Sequence, residues 1–482
     1  MTPTPTAPEP VPAPRRHPGP ERPHDLVGVG IGPGNLSLAA LAHGFPGGLD
    51  TVFYERAPAF HSHPGRPFEG ATAHTPFLAD LVTLADPTSP WTFLNYLRVR
   101  DRLLPFYAAE RLHVHGAEYD AYGRWVSDHL PGLHFGHQVD AVRWNPELDL
   151  FEVDHARLDA DGETEALGRA YARHVALGVG SEPDVPEPLK PLVAAPAVPV
   201  LHSADYPAHR EALLAAGHVT VVGSGQSGAD VFLDLLRHRP QGREGMHWIT
   251  RTDAFASAER ARLGLEHLTP DHARYFHALP EQARDDLLPG GRRHRAVSRD
   301  TLDAIHDELY RRTVRGGWPD AVLTPGVHVR TAGRLATTKV ELHLEHVRQG
   351  SRSRLTTDAV VLATGYRASP LHRMLAALDP YLRRDARDRP RVDEHHRLVL
   401  DPSVTGSVYV VNPAAHTHGP GAADPGLTAW RSAAVLNHLT GKEPYPLPGR
   451  TAFTGFGLEP AGPPRVPVPA PDRGLIPLGG RP

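Results

Sequence analysis

The chain has 482 residues, a net charge of −4, 40% hydrophobic residues and no cysteine. The near-neutral charge does not indicate a nucleic acid or an acidic membrane surface as a partner, and no apolar run is long enough to span a bilayer. The absence of cysteine excludes disulfides, cysteine-ligated zinc and iron–sulfur clusters.

The first 23 residues are rich in proline and contain no apolar segment. This composition predicts a disordered tail rather than a secretory signal, so we expect a cytoplasmic protein. From its length, the remaining chain is expected to form about three domains.

A glycine-rich turn follows the first predicted strand. Residues 25–35 read Asp-Leu-Val-Gly-Val-Gly-Ile-Gly-Pro-Gly-Asn, and the apolar spacing after them predicts a helix. Gly30 and Gly32 belong to a dinucleotide-binding turn of this kind. The next predicted strand ends in Glu55, and a carboxylate there accepts a ribose 2′-hydroxyl. Asn35 replaces the usual third glycine and would either cap the helix or contact the cofactor.

Residues 61–95 are dense in turn-forming residues and short helical patterns. Such a stretch is typical of a loop-built wall of a binding site. It is followed by a long region that leads to the second nucleotide-binding pattern.

A second glycine-rich turn again follows an apolar strand and opens a helix. Residues 219–228 read Val-Thr-Val-Val-Gly-Ser-Gly-Gln-Ser-Gly, and the next predicted strand ends in an arginine. An arginine at that position suits the 2′-phosphate of NADP. The residues predicted to form this second nucleotide site are Gly223, Gly225, Ser227 and Arg251, with Arg260 and Arg262 as rival phosphate ligands.

The C-terminal half combines a helical insertion with further strands. Residues 263–317 are charged and helical in pattern, and strands are predicted at 340–344 and 358–366. The last of these ends in Ala-Thr-Gly, small residues that let a backbone approach a nucleotide. From residue 454 the chain is rich in proline and glycine, which predicts a second tail.

Histidine pairs separated by one residue occur at 61/63, 113/115 and 416/418. Metal ligation is conceivable at such pairs, but the chain has no H-E-x-x-H motif and no carboxylate at matched spacing. No metal site is therefore predicted. The loop of residues 416–424 is instead expected to line a bound flavin or to have a purely structural role.

The two turns together predict an α/β fold with two Rossmann-like domains, one for FAD and one for NADPH. This pair of cofactors is typical of flavoprotein reductases and oxygenases. Disulfide reductases need a redox-active cysteine pair, which this chain lacks. Electrons from the reduced flavin must therefore leave by another route, and oxygen is the obvious acceptor.

Nine short motifs follow one another along the chain. They are Gly30-Ile-Gly-Pro-Gly-Asn35, His63-Pro-Gly65, Glu69-Gly-Ala-Thr72, Pro76-Phe-Leu-Ala-Asp-Leu-Val-Thr83, Asp86-Pro-Thr-Ser-Pro90, Phe93-Leu-Asn-Tyr-Leu97, Gly223-Ser-Gly-Gln-Ser227, Ala363-Thr-Gly-Tyr366 and His416-Thr-His-Gly419. Their order resembles that of the lysine/ornithine N-monooxygenases of siderophore biosynthesis. The resemblance covers residues 24–440, and the block from 63 to 97 is its most specific part.

The resemblance implies an FAD domain built from both ends of the chain. It also implies an inserted NADPH domain and, within that, a small helical substrate segment. The resulting divisions are a tail over 1–23, FAD-domain parts over 24–210 and 358–453, NADPH-domain parts over 211–262 and 318–357, the helical segment over 263–317 and a tail over 454–482. A homo-oligomer is compatible with these features.

The resemblance also implies a reaction between O₂ and a small primary amine. NADPH reduces FAD, O₂ adds to give a C4a-hydroperoxyflavin, and the amine takes the distal oxygen to become a hydroxylamine. The residues assigned roles in this way are His74 and Asn95 in catalysis; Gly30, Gly32, Asn35, Glu55, His63, Gly223, Gly225, Ser227, Arg251, Thr364, Gly365, Tyr366 and Asp424 in cofactor binding; and Ala79, Glu266 and Arg293 in substrate binding.

Several positions depart from the family pattern. His74 stands where members usually carry glutamine, and Ala73 stands where they carry a large apolar residue. Ala79 stands where ornithine-specific members carry a lysine that resembles an anchor for the substrate carboxylate. The segment 292–295, Arg-Arg-His-Arg, is also unusual and lies where substrate contacts would be expected.

These departures favour L-lysine over L-ornithine as the substrate, with cadaverine and putrescine as alternatives. Ala73 and His74 also leave open a flavin-binding homologue that has lost oxygenation. Oxygenation of carbonyls or sulfides is a further alternative, which the specific block from 63 to 97 disfavours.

Overall fold

The computed structural model describes residues 19–62, 72–110, 112–193, 199–257, 262–288, 297–314, 316–336, 338–369, 371, 373–411 and 414–458, without the side chains of residues 72–75 and 336. The strands in this part are β1 (His24–Val29), β2 (Thr51–Glu55), β3 (Thr72–Pro76), β4 (His113–His115), β5 (Leu133–Phe135), β6 (His137–Asn145), β7 (Leu150–Leu158), β8 (Thr164–Leu177), β9 (Ser181–Pro183), β10 (Val200–His202), β11 (Val219–Val222), β12 (Met246–Ile249), β13 (Ala321–Thr324), β14 (Val327–Ala336), β15 (Lys339–His346), β16 (Arg352–Thr357), β17 (Ala359–Leu362), β18 (Tyr366–Ala368) and β19 (Ser407–Val410).

The α-helices of the same residues are α1 (Pro33–His43), α2 (Phe93–Val99), α3 (Leu103–Ala108), α4 (Gly116–His129), α5 (Lys190–Val193), α6 (Tyr206–Ala215), α7 (Gln226–His238), α8 (Arg262–Leu265), α9 (Pro270–Ala278), α10 (Glu281–Leu287), α11 (Arg299–Thr313), α12 (Ala415–His418) and α13 (Thr428–Thr440). None of these helices is both long enough and apolar enough to cross a bilayer.

The first sheet has seven strands in the order β5-β2-β1-β8-β7-β6, and β19 also pairs with β8. Strand β1 pairs in parallel with β2 and β8, and β19 pairs in parallel with β8. Strands β6, β7 and β8 form an antiparallel meander. Because β19 comes from near the other end of the chain, this domain is built from two separate parts, as the resemblance implied.

Both faces of the first sheet are covered. Leu26 and Phe53 pack on one face with side chains of α1, α4 and α13. Val27 and Val29 pack on the other face with residues from the segment 371–411. A parallel strand buried on both faces has a continuous apolar sequence, which is why β1 was predictable as a strand.

The second sheet has the order β10-β17-β11-β12-β13, and all its strands are parallel. Strand β11 leads into the second glycine turn, and α7 follows it. Phe232, Leu235 and Leu236 of α7 are fully buried against this sheet, and their spacing is that of one face of a helix, which the sequence predicted after this turn. The two glycine turns therefore lie in two separate Rossmann-type sheets, and the predicted fold class is confirmed.

Two of the domain boundaries predicted from the sequence cut through the second sheet. Strand β10 lies before the boundary at 210/211 and β17 lies after the boundary at 357/358, yet β17 pairs with both β10 and β11. The chain therefore leaves the first sheet between β8 and β10 and returns to it between β17 and β19. Short apolar patterns could not reveal this, because they do not specify which sheet a strand joins.

The single strand predicted over residues 358–366 is two strands in the structure. Strand β17 ends at Leu362, and β18 starts at Tyr366 and pairs with β9 in a small antiparallel sheet. The residues between them, 363–365, connect the two strands and lie beside the second glycine turn. The small residues near the end of the predicted strand therefore mark the place where β17 stops and the chain leaves the second sheet.

The predicted helical segment contains α8 to α11 and contacts both domains. The Oε1 atom of Gln226 on α7 accepts the N–H of Ser298 (2.8 Å), and its Nε2 atom donates to Thr301 Oγ1 (2.9 Å). These bonds attach the start of α11 to the second domain. Helix α10 is attached to the first domain, where Asp285 pairs with Arg389 (2.7 Å).

The residues after α13 return to the helical segment. Asp271 accepts the N–H groups of Thr451 (2.7 Å) and Ala452 (2.8 Å). The ring of Phe456 packs against that of His272, with their centroids 4.9 Å apart. The tail predicted from residue 454 therefore begins too early, because composition alone does not show that these residues have partners.

Candidate active site

The first glycine turn joins β1 to α1 and is shaped by close backbone contact. Gly30 has a φ of 84°, and a Cβ there would lie 2.4 Å from the carbonyl oxygen of Gly178. Gly32 is the N-cap of α1, and the helix begins without a side-chain cap. Glu55 Oε2 accepts the N–H of Ile31 (2.8 Å), which holds the carboxylate beside the turn. An uncapped helix N-terminus suits a pyrophosphate and the carboxylate suits a ribose, so these residues fit FAD.

Asn35 holds the turn in shape and does not cap the helix. Its fully buried side chain donates through Nδ2 to the carbonyl oxygens of Val29 (3.0 Å) and Gly30 (2.8 Å). A longer bond to Ala176 O (3.3 Å) joins the turn to β8. The capping alternative is wrong because Gly32 occupies the N-cap position. Contact between Asn35 and the cofactor stays a prediction.

The end of β8 is a part of this site that the sequence analysis missed. Residues 176–180 read Ala-Leu-Gly-Val-Gly, and a Cβ at Gly178 would lie 2.5 Å from Asn35 Nδ2. The N–H of Gly178 donates to Val29 O (2.8 Å). The available signal was the pair of glycines that follows this buried strand, which is comparable to the glycine of residues 363–365 after β17.

The second glycine turn repeats the geometry of the first. Gly223 has a φ of 120°, and a Cβ there would lie 2.2 Å from the carbonyl oxygen of Ala363. A Cβ at Gly228 would lie 2.3 Å from Gly223 O. Gly225 is the N-cap of α7, again without a side-chain cap, and Ser227 is the second residue of that helix. The turn therefore leaves a helix N-terminus accessible to a second pyrophosphate.

The 363–366 motif closes the second turn. Thr364 Oγ1 donates to Asp184 O (2.6 Å), and the ring of Tyr366 meets that of His202 edge-on at 4.9 Å. These contacts hold together the two crossings between the sheets. The motif was assigned to the first domain, but the structure brings it to the second nucleotide site. Direct cofactor contact by its residues stays a prediction.

Arg251 follows the end of β12. It lies at the carboxyl edge of the second sheet, where β11 leads into the second glycine turn. Its side chain is exposed, and no carboxylate pairs with it among the residues that the structure describes. The hydroxyls of Ser224 and Thr252 bond each other across this edge (3.0 Å). Of the rival arginines, Arg262 begins α8 and is exposed, and Arg260 lies outside the described residues.

Replacing Arg251 with alanine is expected to weaken NADPH binding about tenfold or more and to leave NADH binding unchanged. A charge-assisted hydrogen bond to the 2′-phosphate contributes about 1.5–3 kcal/mol, and NADH has no such phosphate. Dissociation constants for both nucleotides, measured by fluorescence titration, provide the test. The matched control is Arg262→Ala, and a selective loss of NADPH affinity in that variant instead would move the role to Arg262.

Ala79 lies beside the loop that follows β19. Ala79 is buried, and its Cβ is 3.9 Å from the point where a Cβ of Gly426 would stand. Asp424 Oδ1 lies 2.9 Å from the same point and accepts the N–H of Gly426 (2.8 Å). Strand β3 packs against the same short 3₁₀ helix, residues 425–427. The segment predicted to carry flavin and substrate contacts therefore meets the Asp424 loop.

Asp80 anchors the segment that contains Ala79. Its buried carboxylate accepts the N–H groups of Val82 (2.9 Å) and Thr83 (2.6 Å), and the N–H of Phe93 at the start of α2 (2.7 Å). Burial raises the pKa of Asp80, and these hydrogen bonds oppose that effect. The Asp-Leu-Val-Thr motif thus encodes a turn that places Ala79.

Asn95 has a local partner in the structure. Its Nδ2 donates to Pro90 O (2.7 Å), and its N–H donates to Thr92 Oγ1 (3.2 Å), which caps α2. The side chain lines a surface depression together with Pro87 and Arg98. These contacts hold the 86–92 turn, and a catalytic role for Asn95 stays a prediction.

Glu266 is engaged by the C-terminal residues. Its carboxylate accepts the N–H groups of Phe453 (3.0 Å) and Thr454 (2.8 Å) and the hydroxyl of Thr454. These bonds, the Thr454 hydroxyl first, lower the pKa of Glu266. Three other predicted positions have undescribed side chains: His63 and Arg293 lie outside the described residues, and His74 is described only as part of β3.

A single loop, residues 414–427, joins the first domain to the helical segment. It contains α12 and two 3₁₀ helices, residues 420–423 and 425–427. A Cβ at Gly419, whose φ is 73°, would lie 2.9 Å from the Phe276 ring of α9. A Cβ at Gly421 would lie 3.3 Å from Leu268 Cα. The loop therefore contacts both Ala79 and the helical segment.

The histidines of this loop have structural partners. His416 Nε2 contacts Pro390 O (2.9 Å), and the buried His418 ring stacks on His396 with centroids 4.1 Å apart. Burial lowers the pKa of His418 to about 3, so its ring is neutral at neutral pH. Among the described residues, no group of three or more potential ligands could hold a metal ion.

Comparison with known proteins identifies the class. The family model for L-lysine 6-monooxygenase/L-ornithine 5-monooxygenase matches residues 22–368. The chain is 36% identical to the rhizobactin siderophore biosynthesis protein RhbE of Rhizobium meliloti over 90% of this chain and 95% of that protein. It is therefore a member of this family, the siderophore-type flavin-dependent N-hydroxylating monooxygenases.

Solved structures agree with the assignment. The FAD-bound cadaverine monooxygenase DfoA of Erwinia amylovora is 31% identical, with a TM-score of 0.84, over 92% of this chain and 100% of DfoA. The ornithine N-hydroxylase KtzI of Kutzneria sp. 744, solved with reduced FAD, NADP⁺ and L-ornithine, is 26% identical, with a TM-score of 0.79, over 87% and 99%. FAD and NADPH are thus the cofactors of this enzyme. Other relatives act on putrescine, L-lysine or L-ornithine, so the family does not define the amine.

Proposed function

We propose that this N-hydroxylating monooxygenase acts on one end of an aliphatic diamine, cadaverine or putrescine. The observation that carries the proposal is the pairing of Ala79 with Asp424 around Gly426. Where ornithine-specific relatives place a cation, this chain has a methyl group with a carboxylate beside it. A second ammonium group suits that environment better than a substrate carboxylate, which the Asp424 charge would repel.

The reaction consumes one amine, O₂, NADPH and a proton and yields a hydroxylamine, water and NADP⁺. Reduced FAD, when bound, supplies the oxygen activation. The reacting amine must be neutral to accept oxygen, and with a pKa of about 10.4 its deprotonation at pH 7 costs about 5 kcal/mol. A buried pocket supplies part of this by disfavouring the charged form.

The chain's own residues have three tasks in this proposal. The glycine turns hold the two nucleotides, with Glu55 on the FAD ribose and Arg251 on the NADP phosphate. Asp80 fixes the position of Ala79 through its buried hydrogen bonds. Asp424 provides the negative charge that orients the distal ammonium of the diamine.

L-Lysine is the second candidate, and the sequence favours it. The Phe-Leu-Ala-Asp-Leu-Val-Thr form of residues 77–83 resembles that of lysine- and diamine-hydroxylating members. A carboxylate would then need a cation elsewhere. Arg293 and its neighbours in the segment 292–295 are the residues proposed for that role, and they lie outside the described residues.

The deciding measurement is the hydroxylamine formed per NADPH consumed with cadaverine, putrescine, L-lysine and L-ornithine. We expect tight coupling with a diamine and uncoupled NADPH oxidation with L-ornithine. Coupling with L-lysine alone would replace the proposal by the second candidate. Coupling with L-ornithine alone would contradict the interpretation of Ala79.

The variant Asp424→Asn tests the charge directly. Asparagine retains an oxygen that can accept the Gly426 N–H, so the turn is preserved while the negative charge is lost. We expect the KM for the diamine to rise about tenfold, as expected for the loss of one charge-assisted contact. The KM for L-lysine in the same variant is the control, because a merely structural effect would change both substrates alike.

The alternative of lost oxygenation is motivated by Ala73 and His74 and predicts a different outcome. Reduced enzyme mixed with O₂ would return at once to oxidised flavin with one H₂O₂ per NADPH, whichever amine is present. Detection of hydroxylamine with any amine of the panel excludes this alternative.

A further inference from the structure

Arg431 is a buried cation that the proposed chemistry does not use. It lies on α13 and is only 7% exposed. Nη1 donates to Val411 O (2.9 Å) and Nη2 donates to Ala422 O (2.5 Å). Burial lowers the pKa of Arg431 to about 10, and the Asp424 carboxylate opposes this, so the side chain is charged at neutral pH.

The two carbonyls that Arg431 binds belong to two different segments, one beside α1 and one in the 414–427 loop. Val411 follows β19, and its carbonyl oxygen lies 3.4 Å from where a Cβ of Gly34 in α1 would stand. Ala422 belongs to the 3₁₀ helix that packs against residues 266–268 of the helical segment. One guanidinium thus connects the start of the FAD-binding helix to the loop that meets the substrate segment.

The backbone hydrogen bonds within the 414–427 loop are local. The N–H groups of Thr417 and His418 donate to Ala414 O, and those of Asp424 and Leu427 donate to carbonyls three residues back within the loop. These bonds shape the loop but do not fix its position relative to α1. A fork of two donors, which lysine cannot reproduce, fixes both carbonyls at once.

We infer that Arg431 is a positioning residue for the amine site, which it sets relative to the FAD-binding turn through Val411 and Ala422. The inference rests on the proposed function, because it concerns the placement of Asp424 and Gly426 against Ala79. It assigns Arg431 no contact with the amine or with FAD.

The test compares Arg431→Lys with Arg239→Lys. Arg239 is also buried and also donates to backbone carbonyls, at Leu213 (2.6 Å) and Ala216 (2.5 Å), but it lies in the second domain. Both variants replace the planar guanidinium, which donates hydrogen bonds to more than one carbonyl, by an ammonium group, and both keep the positive charge. General damage from altering a buried arginine should therefore be similar in the two.

We expect Arg431→Lys to raise the amine KM about tenfold and to lower the hydroxylamine formed per NADPH, since it weakens a charge-assisted fork. In Arg431→Lys, the rate of flavin reduction by NADPH under anaerobic conditions should stay within about twofold of the wild-type rate. The reason is that the second nucleotide site lies in the other domain and is unchanged in this variant. Amide hydrogen exchange should accelerate in residues 415–427 of Arg431→Lys and not in the same residues of Arg239→Lys.

Unchanged amine KM, coupling and loop exchange in Arg431→Lys would overturn the inference, as would the same changes in Arg239→Lys. The wild-type measurement separates this failure from failure of the proposed function. If wild-type enzyme forms no hydroxylamine with any amine, the proposed function fails, and the exchange comparison still tests the anchor.

Discussion

Gly30→Ala is expected to abolish FAD binding, with a loss of affinity of at least about a hundredfold. A Cβ at this position would stand 2.4 Å from Gly178 O, closer than any carbon–oxygen contact, and the φ of 84° already disfavours alanine. The left-handed conformation alone costs about 1–2 kcal/mol, and relief of the overlap must move either the turn or the end of β8. Both are predicted to form the cradle for the FAD pyrophosphate. Flavin absorbance of the purified protein, and titration of the stripped protein with FAD, measure the effect.

Two control variants separate the causes. Gly162→Ala has nearly the same φ (83°) in a surface turn, but nothing lies within 4 Å of its Cβ, so it reports the conformational cost alone. Gly32→Ala has an ordinary φ, and its Cβ would meet Gly178 O only at 4.0 Å, so the protein itself accommodates it. If Gly30→Ala retained flavin as well as Gly162→Ala does, the first turn would not be the FAD site.

Removing the charge of Glu244 is expected to destabilise the second domain by about 3 kcal/mol. Glu244 is fully buried, and its Oε1 atom pairs with Nη1 of the buried Arg312 at 2.6 Å. Its other oxygen accepts the N–H of Asp320 (2.9 Å). Glu244→Gln leaves the guanidinium of α11 without its closest countercharge in a medium that solvates charge poorly. The midpoint of urea unfolding, followed by tryptophan fluorescence, provides the measurement.

The control for this prediction is Glu345→Gln. Glu345 pairs with Arg330 (2.8 Å) and Arg352 (3.2 Å), but on the surface, so loss of its charge should shift the midpoint only slightly. Equal shifts in both variants would show that burial does not strengthen the Glu244 pair.

The same pair predicts a dependence on pH. Burial disfavours ionised Glu244, but the hydrogen bonds from Arg312, Asp320 and Gly242 outweigh it and lower the pKa below 4.5. A carboxyl group with a lowered pKa stabilises the folded state above its unfolded pKa and loses that contribution as the pH falls through its folded pKa. The difference between wild type and Glu244→Gln should therefore be largest above about pH 5 and shrink in more acidic solution.

The nucleotide sites could be predicted from sequence because their chemistry is local. A turn with positive φ, a helix N-terminus and the last residue of the next strand all lie within about thirty residues of chain, so short patterns specify them. Gly30, Glu55, Gly223 and Arg251 were predicted in this way, and their contacts with the nucleotides stay predictions. Gly178 was not, because it contacts the turn from a strand far away in the sequence.

The assignment of strands to sheets was not predictable in the same way. Strands β10 and β17 are short and apolar, and their sequences fit either sheet equally well. Likewise, Asn35 reads as a helix cap or a cofactor ligand, and only the nearby carbonyls of Val29, Gly30 and Ala176 show that its amide holds the turn.

The sequence by itself determined the family, the two cofactors and the absence of cysteine chemistry, because these depend on residue types at fixed local spacings. Only the tertiary structure decided that the 363–366 motif closes the second turn, that Glu266 binds residues 453–454, and that Ala79 meets Asp424. Those contacts join segments that are remote along the chain, and their distances depend on how two sheets and a helical segment pack. Local residue spacing does not specify that packing, because it depends on which buried surfaces of the folded chain contact each other.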